Sequence, residues 1–292
     1  MNKVRVANLN IAIKNVDQNF FNYRLRKYIY NDFEKPDLTI RVDAFDMISK
    51  PEGKVIKQIG DAFIIRTDRD KYCRYLTDRK TGNIFNAIYY DDSYSEIEIN
   101  LKKIPESGFS LTDYEYMYTG FAFSDRLTMS GGAVLHGSGL AYNNQGIVFS
   151  ANSGTGKSTH TQLWKECFSD KVVIVNDDKP AVRFYDGIPY IFGTPWSGKS
   201  DLNESIQVQL KAIIFIKRSE TNRIELLNKR DGIYSLMSQI SRPYYDEKIG
   251  LKTIDVIDKI IQTVPVYRLY CNISQEAVKV VFDQLIKEGL LI

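Results

Sequence analysis

The chain is poor in the residues that build thiol or imidazole chemistry. It has three cysteines, Cys73, Cys167 and Cys271, and two histidines, His136 and His160. The cysteines are far apart, odd in number and without metal-type spacing, which argues against a disulfide framework and for reduced, inert thiols. An excess of one charge is also missing: 39 basic against 36 acidic side chains leave a net charge of +3. Nothing in that balance asks for nucleic acid or an anionic membrane as a partner. No apolar run approaches the ~20 residues of a membrane span. The opening MNKVRVANLN lacks the apolar centre of a secretion signal. Repeats and low-complexity tracts are absent as well. The expectation is a cytoplasmic enzyme or regulator with no membrane or nucleic-acid partner; homo-oligomerisation is left open.

With 292 residues, 43% of them hydrophobic and 26% charged, the chain has the composition of an ordinary globular protein and length for one large or two ordinary domains. Residues 1–45 read as strand, helix, strand, with a strand over Val4 to Ile13, helical spacing from Phe20 to Tyr30 and a second strand at Leu38 to Val42. From Phe63 to Ile99 short strands alternate with turn residues in a meander. No acid–base pair stands out there, and recognition or assembly is the expected role. A boundary is expected within residues 103–112, where Pro105, Ser107 and Gly108 fall. This gives a β-rich α+β domain over 1–110 and a second domain over 111–292 that opens with a helix at 113–129.

The second half is organised around residues 146–164, GIVFSANSGTGKSTHTQLW. An apolar strand, Gly146 to Ser150, runs into a small-residue loop, and Lys157-Ser158-Thr159 opens a helix. This is the order of a phosphate-binding P-loop, in which successive backbone N–H groups and a helix N-terminus cradle anionic oxygens. Ser153, Gly154, Thr155, Gly156, Lys157, Ser158 and Thr159 are the candidate nucleotide-binding residues. Lys157 would reach the β- and γ-phosphates and the Ser158 hydroxyl would ligate Mg²⁺. Ala151 stands where the pattern usually begins with glycine.

Neighbouring segments give the loop a context. Gly131 to Tyr142 reads as a glycine-rich strand joined through Asn143-Asn144 to the strand that feeds the loop, which puts His136 near the phosphates. Asp177-Asp178 ends the strand VVIVNDD, twenty residues after Lys157, where a sheet brings its carboxyl ends beside such a loop. In phosphoryl transfer one carboxylate can hold Mg²⁺ while the other accepts the proton of the attacking hydroxyl. AVRFYDG, 181–187, reads as the start of a hairpin, and IPYIFGTPWSGKSDLN, 188–203, as an irregular loop. Strands are expected at 209–218, 223–227 and 266–271, and helices at 231–240, 251–262 and 275–288.

LHGSGLAYNNQGIVFSANSGTGKST followed by VNDDKPAV resembles the catalytic domain of the HPr kinase/phosphorylase superfamily. The SGTGKST string and the Asp-Asp pair also resemble ATP-dependent phosphoenolpyruvate carboxykinases of the same fold. The likeness covers about residues 130–218. It implies ATP and Mg²⁺ and phosphorylation of a hydroxyl, most often a serine. By motif match, Lys157 binds phosphate, Ser158 and Asp177 bind Mg²⁺, Asp178 is the general base and His136 positions the reacting groups. The family's kinases carry Glu after the loop's Lys-Ser, whereas Thr159 and His160 follow here. Their glycine-rich loop for gripping HPr is also missing. The acceptor implied is therefore a hydroxyl-bearing peptide, protein or small molecule other than HPr. GTPWSGK, Arg242-Pro243 and CNISQEAV resemble a branch of bacterial HPr-kinase-like proteins.

Other readings stay open. Lys199 could close over the transferring phosphate or be a solvated loop lysine. His160 could act directly or only pack. Arg242 could reach phosphate or join two helices, and Trp196 reads as a packing anchor. A nucleotide-binding regulatory or peptide-carrier protein without turnover is one alternative function. A carboxykinase-like enzyme is the other, although the chain lacks the second cluster of basic and metal-binding residues it would need.

Overall fold

A computed structural model of the chain describes residues 1–67, 71–78, 80–104, 108–241 and 246–292, and the elements below are those among them. The fold is mixed α/β and divides into two compact units, residues 1–130 with 242–249, and residues 131–241 with 250–292. Pro105 and Ser107, within the expected boundary, and Arg242-Pro243 lie outside the described residues. No helix among the described residues is long and apolar enough to cross a membrane.

The first unit is an eight-stranded sheet. Its strands are β1 (Asn2–Val6), β2 (Leu9–Lys14), β3 (Leu38–Phe45), β4 (Lys54–Ile59), β5 (Ala62–Arg66), β6 (Tyr72–Thr77), β7 (Ile84–Tyr90) and β8 (Glu96–Lys102). They run in the order β1-β2-β3-β8-β7-β6-β5-β4. The segment expected as one strand over Val4 to Ile13 is a hairpin instead, because Ala7 and Asn8 both take positive φ, 47° and 58°, and turn the chain. The first helix, α1 (Gln18–Leu25), is shorter than expected. Strand β4 was not expected; it lies at the sheet edge, and its side chains are mostly exposed.

Helix α2 (Leu111–Met129), expected to open the second domain, belongs to this first unit and packs on β3 and β8. It opens on a capping box in which Ser110 and Asp113 satisfy each other's backbone N–H. Its buried Asp125 pairs with the equally buried Arg74 of β6. By contact, then, the division between units falls after Ser130 and not after residue 110.

The second unit is a nine-stranded sheet with helices on both faces. It comprises β9 (Ala133–Val134), β10 (Gly137–Tyr142), β11 (Gln145–Ser150), α3 (Lys157–Phe168), β12 (Val172–Asp178), β13 (Ala181–Tyr185), β14 (Ile188–Phe192), β15 (Gln207–Arg218), β16 (Arg223–Leu226), α4 (Lys229–Gln239), α5 (Glu247–Thr263) from Gly250 onward, β17 (Val266–Cys271) and α6 (Gln275–Lys287). The main path is β12-β10-β11-β15-β14-β13-β9, with β17 pairing both β15 and β16. One face buries Leu236, Val256, Ile257 and Ile260 from α4 and α5. The other buries Trp164 of α3 with Val278, Val281 and Leu285 of α6.

Two expectations are corrected in this unit. Residues 188–192 are strand β14 and not part of an irregular loop. The stretch 131–142 is not one strand: it bends at His136, so that β9 pairs with β13 while β10 pairs with β11 and β12.

Topology decides where the functional side chains fall. Strands β11, β15 and β17 run parallel. Strand β10 is antiparallel to both β11 and β12, so β12 points the same way as β11. The carboxyl ends of β11, β12, β15 and β17 therefore share one edge of the sheet. His136, immediately before β10, arrives at that same edge.

Candidate functional site

At this edge β11 gives way to the loop 151–156 and then to α3. Gly154 and Gly156 take φ of +74° and +120°, and a Cβ built on either would meet no atom within 4 Å. Backbone conformation, not crowding, is what requires glycine there. Among the described residues, the backbone N–H groups of Ser153, Gly154, Gly156, Lys157, Ser158 and Thr159 donate to no protein acceptor. Thr155 N instead donates to Asn152 O at 3.2 Å, and His160 N to Gly156 O at 2.9 Å. Ser153, Gly154, Ser158 and Thr159 are exposed, so the unused donors open to solvent at a helix N-terminus.

Lys157 is buried, 8% exposed, and its ammonium donates to the Ala151 and Asn152 carbonyls at 3.0 and 3.3 Å. Its third contact is His136 Nε2 at 3.0 Å. An ammonium only donates, so Nε2 accepts and Nδ1 carries the ring proton. Nδ1 lies 3.1 Å from Asp178 Oδ1 and donates to it. Lys157, His136 and Asp178 thus form one hydrogen-bonded chain across the ends of β11, β10 and β12.

Burial pushes the Lys157 ammonium below its ordinary value, and the charges of Asp178 and Asp177 oppose that push. Burial acts against the Asp178 carboxylate too. The hydrogen bond from His136 and the nearby charges, first Lys179, 3.9 Å from Oδ2, outweigh it and hold the carboxyl below its usual range.

Both aspartates lie close enough for their charges to act on Lys157. Side chains of adjacent strand residues face opposite ways, yet Asp178 takes a φ of +135°, a strained conformation for a residue with a side chain. Asp178 pairs with Gly137, and Asp177 with Ser138. Beyond them the loop 193–206 holds the strand end through Asp177 N to Leu202 O at 2.9 Å and Asn176 Nδ2 to Thr194 O at 2.8 Å. Asp177 is 7% exposed, and among the described residues its carboxylate has no hydrogen-bond partner.

Not every expected residue joins this group. Lys199 is exposed and among the described residues makes no hydrogen bond or ion pair, although its neighbour Gly198 abuts Asp178. His160 is buried at 3% exposure, with its ring against Phe149 and its Nε2 accepting from Trp164 Nε1 at 3.3 Å. Desolvation pushes it down to about 4, so it packs as a neutral side chain. Trp196 is buried as well, and Cys73 and Cys271 are buried thiols pushed up by desolvation, to about 12 and about 11.

Two further residues shape the site. Gln239, at the end of α4, donates from its side-chain Nε2 to Asn152 Oδ1 at 3.1 Å, while its main-chain carbonyl accepts from His136 N at 2.8 Å. Arg218, the last residue of β15, donates to the carbonyls of Gly154 and Thr155. Arg218 could have been found as the end of an apolar strand; nothing in the sequence marks Gln239.

No protein-family model matches the chain, and no curated protein matches it in sequence. Among solved structures, it is similar to the Hpr(Ser) kinase/phosphatase from Coxiella burnetii, at 10% identity and a TM-score of 0.32. That match covers 53% of this chain and 98% of the other, a distant structural relation that carries nothing further.

Proposed function

We propose that the chain is a Mg²⁺-dependent kinase of the P-loop type that moves the γ-phosphoryl group of ATP to the hydroxyl of a peptide, protein or small molecule. One observation carries the reading. A loop with unused backbone donors lies at one end of the chain Lys157–His136–Asp178, and an ionised carboxylate lies at the other. The donors suit phosphate oxygens. The carboxylate suits a hydroxyl that must be oriented and deprotonated.

Ser158 and Asp177 supply oxygen donors without protein partners among the described residues, the ligand type magnesium takes. Those residues also contain no group of three or more His, Cys, Asp or Glu that could hold a metal by itself. Magnesium in phosphoryl transfer is held by one or two protein oxygens plus substrate phosphates. Held there by Ser158 and Asp177, such an ion would supply charge neutralisation to the phosphate oxygens.

Lys157 exchanges its loop carbonyls for phosphate oxygens and offsets charge as the reaction proceeds. The acceptor oxygen forms a bond to the γ-phosphorus, the bond to the β-bridging oxygen breaks, and ADP leaves. The hydroxyl proton passes to Asp178. His136 holds that carboxylate in place through Nδ1.

Substituting Asp178→Asn tests this directly. Transfer of labelled phosphate from ATP, screened against free amino acids and short peptides, falls by about 10²–10⁴-fold, while ATP affinity stays within a few-fold. Undiminished transfer by the variant sinks the assignment. A wild-type chain that binds ATP without turning it over favours the regulatory reading.

A further inference from the structure

Helix α4 ends at the same sheet edge as the loop. Its last residue, Gln239, is 9% exposed. From there the chain runs beside residues 134–136 as a short antiparallel pair. His136 N donates to Gln239 O at 2.8 Å, Leu135 bridges Ile240, and Ser241 N donates to Val134 O at 2.9 Å. The His136 carbonyl in turn accepts from Ser150 Oγ, at the end of β11, at 2.8 Å. The bend that carries His136 is thus tied on both sides.

The Gln239 side chain reaches the phosphate loop. Its Nε2 donates to Asn152 Oδ1 at 3.1 Å and to Ser238 Oγ at 3.2 Å, which uses both amide hydrogens. The main-chain carbonyl of Asn152 accepts from Lys157 Nζ at 3.3 Å and from Thr155 N at 3.2 Å. One residue therefore holds the His136 bend with its main chain and the start of the loop with its side chain. Lys157 and His136, which meet at 3.0 Å, are the two groups so placed.

We propose that Gln239 is a positioning residue for phosphoryl transfer, acting through Asn152 to set the distance between Lys157 and His136. The inference rests on the kinase reading above and adds a residue outside the chain Lys157–His136–Asp178. In that reading Lys157 gives up its loop carbonyls for phosphate oxygens, so the Asn152 carbonyl loses one of its two donors. Gln239 then still fixes Asn152 from outside the loop. The chemistry at this position is narrow. Asparagine is one methylene short of the same reach, glutamate has no hydrogen to donate, and lysine would bring a second ammonium beside Lys157.

The imidazole reports this placement without any turnover. Nitrogen NMR of the full chain labelled at histidine resolves two rings, because only His136 and His160 are present; loss of a signal in His160→Gln assigns them. In Gln239→Ala and in Asn152→Ala the Nε2 resonance of His136 moves from its wild-type position, while that of His160 stays. Transfer of labelled phosphate from Mg·ATP to the acceptors found in the screen above gives a second readout. The kcat falls about tenfold in each single variant, with KM for ATP within about threefold. The double variant falls no further than either single one, because the two side chains act as a unit. An unmoved His136 signal in Gln239→Ala, equal movement at both histidines, a raised KM with kcat intact, or losses that multiply in the double variant overturn the assignment. A wild type that transfers no phosphate overturns the kinase reading instead, and the His136 signal still decides whether Gln239 sets the contact.

Discussion

Asp178 combines a strained backbone with a buried, hydrogen-bonded charge. A positive φ of +135° at a residue with a side chain costs on the order of 1–3 kcal/mol, and it brings the carboxylate to His136 at 3.1 Å. Gly198 on the far side sets the limit of that position: its own φ is +67°, and an added Cβ would come 3.1 Å from Asp178 Cβ and 3.3 Å from Cγ. Gly198→Ala should therefore push the carboxylate off His136 and strain the loop. The expected result is a drop in kcat for phosphoryl transfer of about tenfold or more with ATP affinity unchanged, and a stability loss of about 1 kcal/mol. Steady-state kinetics beside a thermal melt separate the two. Unchanged kcat would mean that the carboxylate's position does not matter to turnover.

Among the elements, the turn from β11 into α3 is held from outside as well as by its own glycines. Arg218 reaches from the end of β15 to the carbonyls of Gly154 and Thr155, which fixes two successive peptide planes and turns the Gly156 N–H away from the Thr155 carbonyl that Arg218 holds. Arg218→Ala should lower the affinity for ATP and for tripolyphosphate together, by about three- to tenfold each. Isothermal titration with both ligands checks this, and loss for ATP alone would assign Arg218 to the nucleoside.

The strand, loop and helix of this turn were legible because an apolar run, two closely spaced glycines and Lys157-Ser158 lie consecutively. The Asp-Asp strand end was legible for the same local reason. What escaped the sequence depends on distant partners. Strand β4, KVIKQI, has no clean alternation because it lies at an exposed edge. Strand β14 contains Pro189, which reads as loop until its pairing with Phe184 is known. The hairpin turn at Ala7-Asn8 lacks the glycine that signals one. Gln239 meets Asn152 only because α4 ends beside the loop. Helix α2 could be found from sequence, but the unit it packs in is a matter of tertiary contact.

For the whole molecule, the testable consequence is how stability follows pH. His160 is one of two histidines and is sealed between Phe149 and Trp164. Desolvation lowers its folded value from 6.5 to about 4. Between those values the unfolded chain binds a proton at this side chain that the folded chain does not, so the stability present above pH 6.5 is lost as pH falls towards 4. A shift of that size amounts to at most about 3 kcal/mol. His160→Gln keeps an acceptor for the Trp164 N–H and does not titrate. Urea unfolding at a series of pH values should show the wild type losing stability faster than the variant between pH 6.5 and 4, with the two curves parallel above pH 7. Because carboxylates such as Asp178 titrate in both proteins, only the difference between the curves reports His160. Parallel curves throughout would mean that the imidazole finds a protonated state inside the fold, and the packing around α3 would then be looser than the buried ring implies.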